Sequence, residues 1–336
     1  MKANKRLSNI PTNVITGFLG SGKTSAILHL LKNKPVDEKW AVLVNEFGEI
    51  GVDGSLLQGR HREEHGVFVR EVPGGCMCCT AGLPMQIALN QLLTHAQPDR
   101  LLIEPTGLGH PIEVLGILSG EYYQESLSIH NIVTLVDARR LADKRYTDHE
   151  IFNQQIAIAD IIVGNKSDLY QEADQKALQA YVSEQGAPHA QLLITQQGCL
   201  DLPLLQGATR FAKAARSHHH HHRTEQSASI ANMPIPQSGY IRVDNQGEGF
   251  KSIGWKFAPH RVFNRDQLVS FLSGLNVERM KTACITDSGM FSYNLTTDGF
   301  SEIMLDQCAE SRIEIIALDI DSTWEQQLLD CITSNE

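Results

Sequence analysis

No apolar run in this chain approaches the ~20 residues a helix needs to cross a bilayer, so a membrane-spanning class is not expected. Residues 1–10 carry Lys2, Lys5 and Arg6 with no apolar core behind them, so the pattern of a secretory signal is missing. Basic residues are outnumbered, 29 Lys plus Arg against 39 Asp plus Glu, for a formal net charge of −10. A general nucleic-acid binder needs a basic stripe, so this balance speaks against that class. A disulfide framework is missing as well. The seven cysteines are an odd number, and three of them stand together, which suits reduced thiols in the cytoplasm. No internal repeat is present. What remains is ordinary globular material, 42% hydrophobic and 20% charged, in 336 residues, long enough for two domains.

The most informative stretch is Gly17-Phe18-Leu19-Gly20-Ser21-Gly22-Lys23-Thr24, which fits the phosphate-binding pattern G-x-x-x-x-G-K-[ST]. Asn13–Thr16 ahead of it reads as a short β-branched strand entered through Pro11, and Thr24–Leu31 behind it as a mostly apolar helix. That strand–loop–helix context gives the pattern a mechanism. Backbone N–H groups of Gly17, Gly20, Ser21, Gly22 and Ser25 curl around phosphate oxygens at the positive end of a helix. Lys23 neutralises the β- and γ-phosphates and the Thr24 hydroxyl binds Mg²⁺. The duller alternative is a glycine-rich turn with no ligand.

Buried-strand patterns recur at Trp40–Val44, Val67–Val72, Arg100–Glu104, Asn131–Asp137, Asp160–Gly164 and Gln191–Thr195, and helical periodicity runs from about Leu83 to His95. Strands alternating with helices predict an α/β fold of P-loop NTPase type, a mostly parallel sheet with helices on both faces. Ligands then belong at the carboxyl ends of the strands, where every motif falls. The pattern breaks near Ala208. A His-rich stretch follows, with five consecutive histidines, His218, His219, His220, His221 and His222. From Tyr240 strands dominate, at Lys251–Phe257, Met280–Thr286, Met290–Leu295, Glu302–Leu305 and Arg312–Ile316, with helices near 264–275 and 323–331. The expected organisation is a P-loop domain over 1–207, a His-rich linker over 208–239 and a small α+β domain over 240–336.

Asn165-Lys166-Ser167-Asp168 fits N-K-x-D at the tip of an apolar strand. An aspartate there accepts hydrogen bonds from the ring N–H and exocyclic amino group of guanine, donors that adenine lacks, so GTP is favoured over ATP. The alternative is an Asn/Asp-rich turn. Glu104-Pro105-Thr106-Gly107 supplies an acid for the Mg²⁺ shell and a glycine for the γ-phosphate. No glutamine follows Gly107, so the sequence names no residue to position the attacking water. Lys23, Thr24 and Glu104 are the catalytic candidates.

Cys76-Met77-Cys78-Cys79 offers soft ligands. In extended chain Cys76 and Cys78 face one side, and Gly74, Gly75 and Gly82 give Cys79 room to turn in. Three thiolates and one further ligand suit Zn²⁺ or Cu(I) far better than Mg²⁺. The alternative is buried inert thiols. The histidine run reads either as an exposed buffer for Zn²⁺, Ni²⁺ or Co²⁺ or as a polar linker.

With these motifs in this order, the chain resembles the CobW-type P-loop GTPases, which are metallochaperones and metal-cofactor assembly GTPases. Val42–Glu49 and Leu102–Pro111 look most like the YeiR-like zinc-binding branch. The likeness spans about Val14–Asp168 strongly, and the region from Tyr240 resembles the CobW C-terminal domain by position and strand pattern. It implies slow, metal-modulated GTP hydrolysis, a metal site at Cys76–Cys79, and a switch at Asn45–Asp53. Some relatives carry a metal-binding glutamate where this chain has Val44. Glu46 and Glu49 remain as candidate oxygen ligands. The expected ligands are GTP or GDP, Mg²⁺ and Zn²⁺, with an unidentified client metalloprotein as partner. A homo-oligomer stays open. A zinc reservoir or sensor with vestigial hydrolysis, a cobalt or nickel cofactor-assembly GTPase, and an ATP-dependent kinase are the competing readings.

Overall fold

The structure, a computed structural model, describes residues 7–44, 63, 65–72, 83–211, 235–247, 249–296, 298–305 and 308–333. They divide into two compact units, 7–211 and 235–333.

The first unit holds β1 (Ile10–Gly17), β2 (Trp40–Val44), β3 (Val67–Glu71), β4 (Arg100–Glu104), β5 (Leu127–Ile129), β6 (Val133–Val136), β7 (Ile161–Gly164) and β8 (Gln191–Ile194). These form an 8-stranded sheet in the order β3-β2-β4-β1-β6-β7-β8, with β5 beside β1, and every pairing is parallel. Parallel strands need crossovers, and the crossovers carry α1 (Lys23–Lys32), α2 (Leu83–Ala96), α3 (Pro111–Leu118), α4 (Lys144–Thr147), α5 (Glu150–Ala157) and α6 (Glu172–Gln185). Every residue of β2, β4, β6 and β7 is buried, which requires cover on both faces and explains their unbroken apolar runs. On one face Val14, Ala41, Leu43, Leu101 and Ile103 pack with Met85, Leu89 and Leu92 of α2 and with Val114, Leu115 and Leu118 of α3. Val42 and Leu102, of opposite parity, are buried on the other face, and α1 packs on β1 and β4. The expected fold class is the one observed.

Two boundaries differ from expectation for local reasons. β1 begins at Ile10 rather than Asn13, because its first half pairs with β5 while its second half pairs with β6. β6 is shorter than the stretch 131–137. The Asn131 side chain donates to Leu204 O and Gln206 O, and Asp137 caps the 3₁₀ turn Ala138–Ala142. Both described ends of the 208–239 segment are attached: Ala208 bridges to His130, Phe211 packs on the first core, and Gly239 O accepts from Ala258 N.

The second unit is a 6-stranded antiparallel sheet in the order β13-β12-β11-β14-β10-β9. Its strands are β9 (Tyr240–Gly247), β10 (Phe250–Phe257), β11 (Arg279–Thr286), β12 (Gly289–Thr296), β13 (Gly299–Leu305) and β14 (Ser311–Ala317). Ile253, Trp255, Phe257, Met280, Tyr293 and Ile315 share a core with Leu268 and Leu272 of α7 (Arg265–Ser273) and Leu328 of α8 (Trp324–Asp330). Alternation along each strand places one face in this core. β9 was not expected.

Candidate nucleotide and metal site

β1 delivers the phosphate loop at the carboxyl edge of the sheet. Gly22 caps α1 with φ 95°, a left-handed conformation, and a Cβ there would lie 2.3 Å from Asn165 Nδ2. Only glycine fits both constraints. α1 has no side-chain cap and no acid in its first turn, so its N–H groups are free of the local carboxylate that many helices carry there. Lys23 is 4% exposed, and its Nζ donates to Gly17 O at 3.0 Å and Phe18 O at 3.4 Å. The buried Ser21 hydroxyl has no hydrogen-bond partner among the described residues, and Ser25 is exposed one turn on. A buried hydroxyl, an ammonium curled back on loop carbonyls and a bare helix N-terminus together fit a phosphate chain.

Glu104 ends β4 beside the first turn of α1. Thr24 Oγ1 donates to Glu104 Oε1 at 2.9 Å, and both side chains are buried. Two oxygen donors held side by side suit a hard cation such as Mg²⁺. Gly107 packs so closely on the loop that a Cβ would lie 2.8 Å from Leu19 N.

Two further contacts brace this corner, and neither was expected. Phe18 is buried edge-on against Tyr146, His149 and Phe152, with ring centroids at 5.1, 4.8 and 5.8 Å. Gln155, one turn beyond Phe152 on α5, donates from Nε2 to Gly107 O at 3.0 Å. The partners are 48 residues apart, so no local sequence signal could have paired them.

The N-K-x-D residues separate into a buried brace and an exposed turn residue. Asn165 is 1% exposed; its Nδ2 donates to Ser21 O at 2.9 Å and its Oδ1 accepts from Gly198 N at 2.9 Å. It ties the phosphate loop to the turn after β8. Gly198, with φ 70°, approaches α1 so closely that a Cβ would lie 2.5 Å from Ala26 N. A lone glycine after a strand marks a turn, and that was the one available sign of it. Lys166 adopts φ 63°, ψ 35° and its Nζ lies 3.7 Å from Asp137 Oδ2. Asp168 follows in the 3₁₀ turn Ser167–Leu169 and is exposed, its carboxylate open to a ligand. Tyr170 locks this turn to β6, its hydroxyl donating to Val136 O and accepting from Ala138 N, and burial pushes its pKa up to about 12.

Glu46, Glu49, Cys76, Cys78, Cys79 and His218–His222 lie outside the described residues. Among the described residues no group of three His, Cys, Asp or Glu side chains could hold a metal ion. The strands flanking those segments are informative. Val44 is in register with Glu104 on one side and Glu71 on the other, and Val72 N donates to Val44 O at 2.8 Å. β2, β3 and β4 therefore end in register, at the sheet edge that holds the Thr24–Glu104 pair. Of the described cysteines, Cys284 and Cys331 are buried, and burial pushes the Cys331 thiol up to about 11, the behaviour of packing residues.

The family model for the CobW/HypB/UreG nucleotide-binding domain matches residues 11–193. The zinc chaperone YeiR of Escherichia coli is 41% identical over 313 residues, covering 91% of this chain and 92% of its own. The chain belongs to the CobW/HypB/UreG family. The zinc-regulated GTPase metalloprotein activator 1 of Schizosaccharomyces pombe is 31% identical over 170 residues, 48% of this chain and 40% of its own. The solved structure of zinc-bound YjiA GTPase from E. coli aligns over 97% of this chain and 99% of its own at 20% identity, with a TM-score of 0.47. This chain carries its nucleotide motifs on the parallel sheet of the first unit, and the antiparallel unit follows in the sequence. Among the described residues no helix is long and apolar enough to cross a membrane.

Proposed function

We propose that this CobW-family chain is a Mg²⁺-dependent, GTP-hydrolysing metallochaperone that binds zinc and couples nucleotide state to holding the metal or passing it to a client metalloprotein. The observation that carries the reading is the shared edge. Val44, Glu71 and Glu104 end three adjacent parallel strands in register at the edge that holds the Thr24–Glu104 pair, and in the sequence the switch candidate follows β2 and the Cys76–Cys79 segment follows β3. A loop that contacts phosphate at one end and thiolates at the other is the physical basis for coupling. Ordering by the γ-phosphate is released on hydrolysis. The zinc assignment is supported by what YeiR and the metalloprotein activator are named for.

Each group has a stated role in this reading. Lys23 moves its ammonium from the Gly17 and Phe18 carbonyls to the β- and γ-phosphates. Gly17, Gly20, Ser21, Gly22 and Ser25 line the phosphate chain. Thr24 and Glu104 hold Mg²⁺, which when bound neutralises charge on the phosphate oxygens. Asn165 fixes the loop, Lys166 flanks the base, and Asp168 reads guanine. Cys76, Cys78 and Cys79, with Glu46 or Glu49, take the zinc, and His218–His222 supply a weaker outer site.

Coupling is reciprocal: the factor by which GTP changes zinc affinity is the factor by which zinc changes GTP affinity. The test is zinc affinity by chelator competition, with and without Mg²⁺ and a non-hydrolysable GTP analogue, on wild type and on a Cys76→Ser, Cys78→Ser, Cys79→Ser variant. A nucleotide-dependent affinity that the variant loses is expected. A tight site indifferent to nucleotide would replace this reading with a zinc reservoir. Metal binding that survives the variant but vanishes on deleting His218–His222 would move the site.

A further inference from the structure

The glutamine that this site lacks after Gly107 is present elsewhere in the fold, doing a different job. Gln155 is 1% exposed on α5 and its Nε2 donates to Gly107 O at 3.0 Å. That contact fixes which end of the amide faces the turn. Its backbone carbonyl accepts from Thr134 Oγ1 at 2.6 Å, tying this point of α5 to β6. Phe152, on the same buried face of α5, packs on Phe18 of the phosphate loop. One helix face thus touches both halves of the terminal-phosphate corner. The Gln155 Oε1 atom is buried with no partner among the described residues. A buried acceptor without a partner is unfavourable and is not what a residue retained for packing would leave behind.

We infer that Gln155 is a positioning residue for the γ-phosphate, acting through the Gly107 peptide. The inference rests on the nucleotide-binding reading above. Gly107 lies against Leu19 of the loop, and as a glycine its peptide turns easily. With its carbonyl held toward α5, that oxygen stays off the terminal phosphate; released, it is free to present a lone pair to an oxyanion. The β-phosphate, cradled by α1, does not depend on this peptide. Gln155 therefore acts on GTP and not on GDP.

The experiment measures affinities for a fluorescent non-hydrolysable GTP analogue and for GDP in Mg²⁺, with melting of the ligand-free protein alongside. Gln155→Met keeps the volume and removes the donor; Gln155→Ala removes both. The ratio of analogue to GDP affinity is expected to fall about tenfold in both variants, the effect of one lost buried hydrogen bond. If Gln155→Ala does not fold, Gln155→Met alone decides. An unchanged ratio in folded Gln155→Met, or an equal loss of both nucleotides, overturns the inference and leaves Gln155 a packing residue. Wild type that binds neither nucleotide sinks the nucleotide-binding reading itself and the inference with it, a result recognisable before any variant is measured.

Discussion

Asn165 and Asp168 stand in one tetrapeptide, yet their surroundings in the structure differ. Asn165 has its amide engaged at both ends, to Ser21 O and from Gly198 N, and it is buried. Asp168 is exposed at the turn. In the proposed reading the Asp168 carboxylate offers two acceptors to guanine, and its removal touches no phosphate contact. Asp168→Ala is expected to weaken GTP and GDP about 10- to 100-fold, the range for a lost charge-assisted pair, and to leave ATP binding as weak as before. Asn165→Ala instead loosens the phosphate loop and weakens every nucleotide, adenine or guanine. Titration calorimetry with GDP and ADP on both variants separates the two. An Asp168→Ala protein that binds GDP as wild type does would remove the guanine assignment. Sequence offered both residues as candidates, but not the bracing contacts of Asn165. The spacing N-K-x-D marks a turn and its ligand, whereas the brace depends on Ser21 and Gly198 arriving from other strands.

Among the elements, legibility followed burial. β2 and β4 were expected with the boundaries they have, because strands buried on both faces show as unbroken apolar runs, Trp40–Val44 and Arg100–Glu104. β9, Tyr240–Gly247, escaped because it is an edge strand carrying Arg242, Asp244, Asn245 and Gln246, and its polar residues hide the alternation. The cross-strand charges of the second sheet were equally illegible. Glu310, ahead of β14, meets Lys256 Nζ at 3.1 Å and accepts from Arg312 Nε at 2.8 Å. Burial alone would raise its pKa, but the hydrogen bonds from Arg312 and Lys256 outweigh that and hold the carboxyl below the usual carboxylate range. A depressed folded-state pKa gives stability that is complete above the unfolded value, about 4.3, and is lost as pH falls through the folded one. Glu310→Gln is expected to cost about 1–3 kcal/mol at neutral pH, with the gap to wild type closing in acid. Urea unfolding across the acid range checks it. A gap that persists undiminished below the folded pKa would assign the loss to packing instead of charge.

At the scale of the whole molecule the two units differ in what stabilises them. The first buries strands on both faces and presents every nucleotide motif along one edge, while the second has its own core of Trp255, Phe257, Tyr293 and Leu328. The two are expected to unfold as separate cooperative units. A ligand that binds one folded unit and not its unfolded chain stabilises that unit alone, by about 2.7 kcal/mol at a hundredfold excess over Kd. Differential scanning calorimetry of the full chain is therefore expected to show two transitions, of which GDP with Mg²⁺ raises one and leaves the other in place. The Glu310→Gln substitution is expected to lower the transition that GDP does not move, which assigns the second peak without cutting the chain. A single transition that GDP raises as a whole would mean the units fold together, and a shift of both peaks by GDP would mean that the nucleotide's stabilisation reaches the antiparallel sheet. The first expectation follows from each unit having a hydrophobic cluster of its own, since cooperativity travels through shared buried surface.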